Sequence, residues 1–487
     1  MNDKDYFSLG HLTTESCHPL TRNLSFDCES NLAKAISDFY EVDKLALASL
    51  QKNIHKLDPL IFAIERSLSS GGRLIVCGCG ATGRLSLALE SFFKEKFGAK
   101  LLSFMAGGDS ALIKSIEKFE DYPEYGKDQL HLFNPSAADL IVGITEGGET
   151  PFVIGAVEEA SKICREKPFF IYCNPDEELL PVERSRGVIE NSAIEKINLT
   201  CGPMALAGST RLQATTVQLL FMCLALERAF NEKINVVQLF KDFVALHQKS
   251  EFLKLIPFIE WESGLYKKNE RVNYFVSGLN ALSVLTDTTE RAPTFGLSPF
   301  DSVSSAKRDS FVYCFMENAI SAFDGWIKML GRRPRTLNWR GHGGQTQFLY
   351  LMDMDISSHN PRAKEVEHSV HLHHSDDKLI LNFDNMSIEF TSSFQYTWME
   401  QVFLKLILNM HSTLVMGRMG RYVENLMVWV RPSNGKLINR ACRYADILLR
   451  EKGIVLEYDI IERKCLELYQ SMPHNHSIVL EIVKALS

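Results

Sequence analysis

Three short segments hold the residue types that grip an anion. "GCGATGR" (78–84) closes an apolar run and opens a helical pattern, and "TEGGETP" (145–151) and "AGSTR" (207–211) repeat the design. Each sets glycines, hydroxyls and backbone N–H groups where a strand gives way to a helix, whose N-terminus carries unpaired donors and the positive end of a dipole. The candidate ligand contacts are Gly80, Ala81, Thr82, Gly83 and Arg84 in the first turn, Gly147 and Gly148 in the second, and Ser209 and Thr210 in the third. Read literally, Gly78, Gly80 and Gly83 spell G-x-G-x-x-G, the dinucleotide fingerprint. A nicotinamide site also needs an acidic residue closing the second strand, to hold the ribose. That strand ends "FMAGGD", with Asp109 set behind two glycines. The match is poor. Several hydroxyl-bearing turns on one sheet edge suit a compact phosphate carrying a sugar, and no cofactor is expected.

The surrounding pattern supplies the scaffold. Residues 28–70 repeat apolar positions at three- and four-residue spacing and predict helix. Strands are expected at 73–77, 101–106, 138–145, 168–174 and 194–199, alternating with helical stretches that include "LSLALESFFKEKF" and "FVIGAVEEASKICREK". Such alternation implies right-handed crossovers and a parallel sheet covered on both faces. A long helix is expected from Ser209 as its N-cap. A second strand-turn-helix cycle begins at 271–285, with further strands in "FLYLMDMD" (348–355) and "KLILNFD" (378–384), and the last 90 residues are mostly helical.

At 487 residues, the chain is longer than one hydrophobic core usually serves. A net charge of −7 without any basic run argues against nucleic-acid binding. "VQLLFMCLALERAF" meets charge after about two and a half turns, too soon to span a bilayer, and "MNDKDYFSLGHL" has no signal-peptide core. Eleven scattered cysteines read as free thiols in a reducing cytoplasm. Cys77-x-Cys79 lacks a second pair, and in "HSVHLHH" (368–374) alternation puts His371 and His373 on one face and His374 on the other, so no metal is expected. "RGHGG" (340–344) reads as a turn.

In order and spacing, "GRLIVCGCGATGRLSLALES", "AGGDSALIKSIEKFED", "VGITEGGETPFVIGAVEEA" and "GPMALAGSTRLQ" resemble the sugar isomerase (SIS) domain of N-acetylmuramic acid 6-phosphate etherases, and equally the first SIS domain of the glucokinase regulatory protein family. "LTTESCHPLTRNLS" (12–25) resembles the T-E-x-x-N-P-x-T segment both share, with His18 where asparagine is usual. The etherases carry one SIS domain and a short helical tail. Here the tail-like "LKLILNMHSTLVMGRMGRYVENLMVWVRPSNGKL" (404–437) follows a second α/β cycle, and "RVNYFVSGLNALSVLTDTTERAPTFG" (271–296) resembles the start of the regulatory family's second SIS domain. The resemblance implies an α/β fold of two SIS-type, doubly wound parallel-sheet domains (flavodoxin-like). These are a partly helical N-terminal arm (1–55), a first SIS domain (56–262), a second, degenerate one (263–398) and a helical lid (399–487).

It also implies where the chain departs. The etherases carry a catalytic glutamate nine residues beyond the glycine matching Gly83, which here is Phe92. Glu90 lies about 200° around the helix from that position. The second acidic position is kept as Glu120, a candidate catalytic and ligand-binding residue. Gly147 stands where a serine hydroxyl usually contacts phosphate, Gln213 replaces a common lysine, and Glu146 and Glu149 are added. Each carboxylate within about 6 Å of a phosphate opposes it by roughly 1–3 kcal/mol, which Arg84, Arg211 and Lys405 can offset if they point inward. Lys405 matches a lid lysine that reaches the sugar phosphate in the regulatory family. The leading expectation is a non-catalytic, regulatory sugar-phosphate-binding protein of the cytoplasm, whose partner is a sugar kinase or another protein. The alternatives are a phosphosugar isomerase or etherase-like lyase using Glu120, and a vestigial scaffold.

Overall fold

A computed structural model describes residues 9–487 except 115, 117, 118, 340, 341, 366, 376, 433, 434 and 472–475. The first eight residues and part of the 340–344 turn thus lie outside the described residues. Five apolar runs form the first sheet: β1 (Leu74–Gly78), β2 (Leu101–Met105), β3 (Leu140–Ile144), β4 (Phe169–Tyr172) and β5 (Glu195–Asn198). All pair in parallel, in the order β2-β1-β3-β4-β5. This is the doubly wound flavodoxin-like order, whose switch point between β1 and β3 opens a crevice at the strands' carboxyl ends. The central strands are buried throughout because helices cover both faces.

The helices that matter for the site are α1 (Leu32–Asn53), α2 (Leu57–Ser69), α3 (Gly80–Phe92), α4 (Pro151–Ile163), α5 (Gln213–Phe230), α6 (Asn280–Phe295), α7 (Thr397–Arg418) and α8 (Gly435–Glu451). The helix expected from Ser209 starts at Gln213 instead. Ala207 bridges to Leu426, residues 208–212 follow as an irregular turn, and the cap position, Leu212, supplies no side-chain cap. Ser209 therefore keeps its hydroxyl for another direction.

The second cycle builds β6 (Val272–Val276), β7 (Val312–Met316), β8 (His368–Ser375), β9 (Lys378–Phe383) and β10 (Met386–Thr391), in the order β10-β9-β8-β6-β7. β7, β6 and β8 pair in parallel, whereas β8-β9-β10 is an antiparallel meander. The degenerate unit thus keeps the first three strands of the doubly wound order and finishes with hairpins. His371 and His373 are exposed on one face of β8, as alternation requires. "FLYLMDMD" is not a strand. Phe348–Asp353 is a short helix whose Leu351 is buried, and the carbonyls of Leu351 and Met354 accept from the buried indole N–H of Trp326.

The two sheets share a core through α7. That helix is buried on nearly every face and packs against α5, α6 and Ile256–Lys267. Its buried polar residues are bonded to neighbouring elements, Asn409 to the Arg211 carbonyl and Ser412 to Asp287. Among the described residues no helix is long and apolar enough to cross a membrane.

Candidate functional site

The loop after β1 is built by its own side chains. Thr82 Oγ1 accepts from the Cys79 N–H at 3.2 Å and donates to the Cys79 carbonyl at 2.9 Å, so this hydroxyl is spent on the turn. Gly83 lets α3 press against β2, because a Cβ there would lie 2.6 Å from Met105 Cβ. Gly80 and Ala81 are left facing the crevice. In the second loop Gly148 adopts φ +77°, its N–H reaching Thr145 Oγ1 at 3.3 Å, while the Thr145 and Thr150 hydroxyls meet at 2.8 Å. Gly147, Glu149 and Thr150 then border the same space, and Gly148 does not. From the third loop Ser209, Thr210 and Arg211 enter it. Ser209 Oγ is buried there without a hydrogen-bond partner.

These loops enclose a cavity of about 190 Å³, closed by residues 12–15 on one side and by α8 on another. Five glutamates and three cations border it, and most are neutralised pairwise. Glu15 accepts from Arg440 and, at 2.8 Å, from Arg443. Burial would raise Glu15, but Arg440 and Arg443 outweigh it and hold the carboxyl at about 2. Glu149 pairs with Lys436 at 2.6 Å and Arg184 at 2.8 Å, which overcome burial and bring it to about 2. Glu290 pairs with Arg84 at 2.6 Å. Glu146 differs. Burial raises it to about 7, and Lys436 only partly opposes this. Glu120 is half-buried beside it, with the Cys79 thiol donating to its Oε2 at 3.5 Å.

Several expected contacts lie elsewhere. Lys405 does not border this cavity. Its Nζ donates to the carbonyls of Arg211 and Leu212 (3.0 and 3.2 Å) and to Thr216 Oγ1 (2.7 Å), beside an internal space of about 40 Å³ that Phe92 also lines. The C-terminal lysine that reaches the crevice is Lys436. Arg84 and Arg211 do not offset Glu146 and Glu149. Arg84 turns to Glu290 and the Leu112 carbonyl, and Arg211 to Asp287 on α6. Glu90 is clamped by Ser103, Arg332 and Arg335. Asp109, the one acid near a would-be ribose position, is paired with Arg332.

Arg440 and Asn174 lie outside every motif, and Glu15 and Lys436, though inside the resembling segments 12–25 and 404–437, carry no mark there of a place at the cavity. Asn174 joins the arm to the second loop, accepting from the Thr14 N–H at 2.9 Å and donating to the Gly147 carbonyl at 2.9 Å. The arm is fixed again where the Gly208 N–H meets the Thr14 carbonyl and Thr21 Oγ1 meets the Ala205 carbonyl. His18 replaces the usual asparagine without loss of the turn, because its Nδ1 accepts from the Leu20 N–H as an amide oxygen would. The available signal was the spacing of Lys436, Arg440 and Arg443, which places three cations on one helix face.

Fold and crevice together define an SIS-domain, phosphosugar-related protein. Residues 58–161 match the family model described as the glucokinase regulatory protein N-terminal SIS domain. The chain is 33% identical over 219 residues to an N-acetylmuramic acid 6-phosphate etherase of Enterobacter sp. (strain 638), covering 44% of this chain and 69% of that one. It is also 33% identical over 215 residues to the etherase of Salmonella typhi, covering 43% and 67%. Among solved structures, tagatose-6-phosphate ketose/aldose isomerase from Escherichia coli aligns at TM-score 0.45 and 13% identity, over 78% of this chain and 92% of that one. The chain belongs to the SIS family of the N-acetylmuramic acid 6-phosphate etherases.

Proposed function

We propose that this protein binds a phosphorylated sugar in the crevice of its first sheet and acts as a sensor of that ligand rather than as a catalyst. The observation that carries the reading is Ser209. A buried hydroxyl without a partner costs about 1–3 kcal/mol, and Ser209 borders the cavity that Gly80 and Ala81 border at the start of α3, where a phosphate gains backbone donors. Lys436 and Arg440 border the same space, with the Arg440 guanidinium packed against Gly208 beside Ser209. In this reading residues 56–262 hold the ligand, residues 399–487 sense it through α8, and a sugar kinase or another protein reads the result. Phe92 supports the absence of turnover, since it cannot transfer a proton where the etherases use a glutamate. Free thiols at all eleven cysteines support a cytoplasmic setting.

One observation favours a second reading. Glu146 borders the cavity that Glu120 borders and is held near 7, which suits a general acid or base. A phosphosugar lyase or isomerase would then use Glu120, at the acidic position its relatives keep, together with Glu146 from a different loop than their other glutamate. Calorimetry with hexose 6-phosphates, alongside turnover assays on N-acetylmuramic acid 6-phosphate, tests both. Binding that Ser209→Ala weakens about tenfold, without turnover, is expected. Turnover abolished by both Glu120→Gln and Glu146→Gln would establish the second reading instead.

A further inference from the structure

A second, larger cavity of about 440 Å³ adjoins the polar one, and Cys79, Gly80, Glu120, Pro293 and Leu437 stand in the walls of both. The characters of the two differ. The first is bordered by carboxylates, cations and hydroxyls; the second by Met105, Ile113, Phe119, Ala292, Leu297 and other apolar side chains from β2, the segment after it and α6. Three cations also border it: Arg84 is neutralised by Glu290, Lys114 is exposed to solvent, and Arg431 stands at the C-terminal side, so the larger part of the lining is still apolar. A hexose phosphate, polar over its whole surface, gains nothing from such walls. A space of this size with a mostly apolar lining is nonetheless the usual form of a small-molecule site.

We propose that the ligand is a phosphosugar bearing an apolar substituent of four or more carbons, with its phosphate and ring in the polar cavity and the substituent in the adjoining chamber. This rests on the phosphosugar reading above and narrows it to a ligand class. Glu120 and Cys79, at the shared wall, would lie against the bond joining ring to substituent. Burying each methylene in the chamber is expected to tighten binding by about three- to fourfold.

The test compares glucose 6-phosphate and glucosamine 6-phosphate with derivatives carrying butyl or hexyl chains, attached through the anomeric oxygen in one series and the 2-amino group in the other. Calorimetry on the full chain reads the affinities. In at least one series the hexyl derivative should bind at least tenfold more tightly than its parent. Ala292→Leu and Ala111→Leu, which narrow the chamber without touching the polar cavity, should remove that gain while leaving the parent's affinity unchanged. Two variants are used because either alone can disturb folding, which the parent's unchanged affinity controls. Parents that bind while neither series gains with chain length would overturn this inference and leave the phosphosugar reading standing. A chain-length gain that survives both variants would also overturn it, since the chain would then lie elsewhere. If no parent and no derivative binds, the phosphosugar reading itself fails.

Discussion

Lys436 Nζ lies 2.6 Å from Glu149 Oε1, so a salt bridge ties α8 to the loop after β3 at the wall of the polar cavity. An arriving phosphate competes with Glu149 for that ammonium. Burial lowers Lys436, but Glu149, Glu120 and Glu15 outweigh this and keep it firmly protonated. Glu149→Gln should tighten binding of hexose 6-phosphates about tenfold, since one charge-assisted bond is worth roughly 1.5–3 kcal/mol. It should also destabilise the protein by about 3 kcal/mol, because the buried guanidinium of Arg184 and the ammonium of Lys436 lose the carboxylate charge they pair with. Calorimetry and urea denaturation separate the two effects. Glu149's folded value of about 2 lies below its ordinary 4.5, so its contribution is present above pH 4.5 and lost as pH falls toward 2. The variant should lack that part of the acid transition.

Glu146 has the opposite sign. Burial raises it from 4.5 to about 7. Between those values the folded protein holds a proton that the unfolded chain has released. Its contribution is therefore complete below pH 4.5 and declines as pH rises through 7. Relative to Glu146→Gln, wild type should lose up to about 3 kcal/mol between pH 4.5 and 8. Urea midpoints of both proteins at five pH values measure the difference. Parallel curves would mean the carboxylate reaches water when ionised.

The scaffold of this site was legible because buried parallel strands read as uninterrupted apolar runs. β2 to β5 each fall inside their expected segments, β1 runs one residue past its own, and α3 begins at the expected glycine turn. Where a short apolar run lacks that context the reading fails. Phe348–Asp353 forms a helix because the Trp326 indole takes the carbonyls at its end, a contact no local pattern encodes. The site was only half legible for the same reason. Strand-end loops announce themselves by glycine and hydroxyl, but Glu15 and Lys436 meet the cavity through long-range packing, about four hundred residues apart in sequence. The resemblance singled out Lys405; what sets Lys436 apart is not burial but its partner, Glu149, and the cavity it borders.

That distinction can be measured. Lys436→Met should weaken hexose 6-phosphate binding at least tenfold, whereas Lys405→Met should leave it within about threefold. Burial, then the charge of Arg211, lowers Lys405 from 10.5 to about 7. The unfolded chain keeps its proton between those values, so this group makes stability rise with pH from 7 to 10.5. Lys405→Met should flatten that rise. A large affinity loss in Lys405→Met with none in Lys436→Met would restore Lys405 as the ligand contact.

The charges behind the cavity form a buried ladder whose parts should be strongly non-additive. Asp287 Oδ1 lies 3.1 Å from Arg211, and its Oδ2 3.0 Å from Arg291, which in turn pairs with Glu262. Ser412 and Tyr274 donate to these carboxylates at 2.7 and 2.5 Å, so their remaining lone pairs are used. Removing one rung leaves a guanidinium buried without compensation, at a cost of about 3–5 kcal/mol, whereas replacing both members with apolar groups of similar volume is often near neutral. Asp287→Leu alone should therefore lower the urea midpoint strongly, and Asp287→Leu with Arg291→Met should recover much of the loss. The exposed pair of Lys34 and Asp38 gives the scale for comparison, because Asp38→Ala should cost no more than about 1 kcal/mol. If Asp287→Leu costs as little as Asp38→Ala, the guanidiniums reach water in the folded protein. The ladder would then do no more for stability than a surface pair, and apolar packing with the Glu290–Arg84 pair would hold α6 against α3.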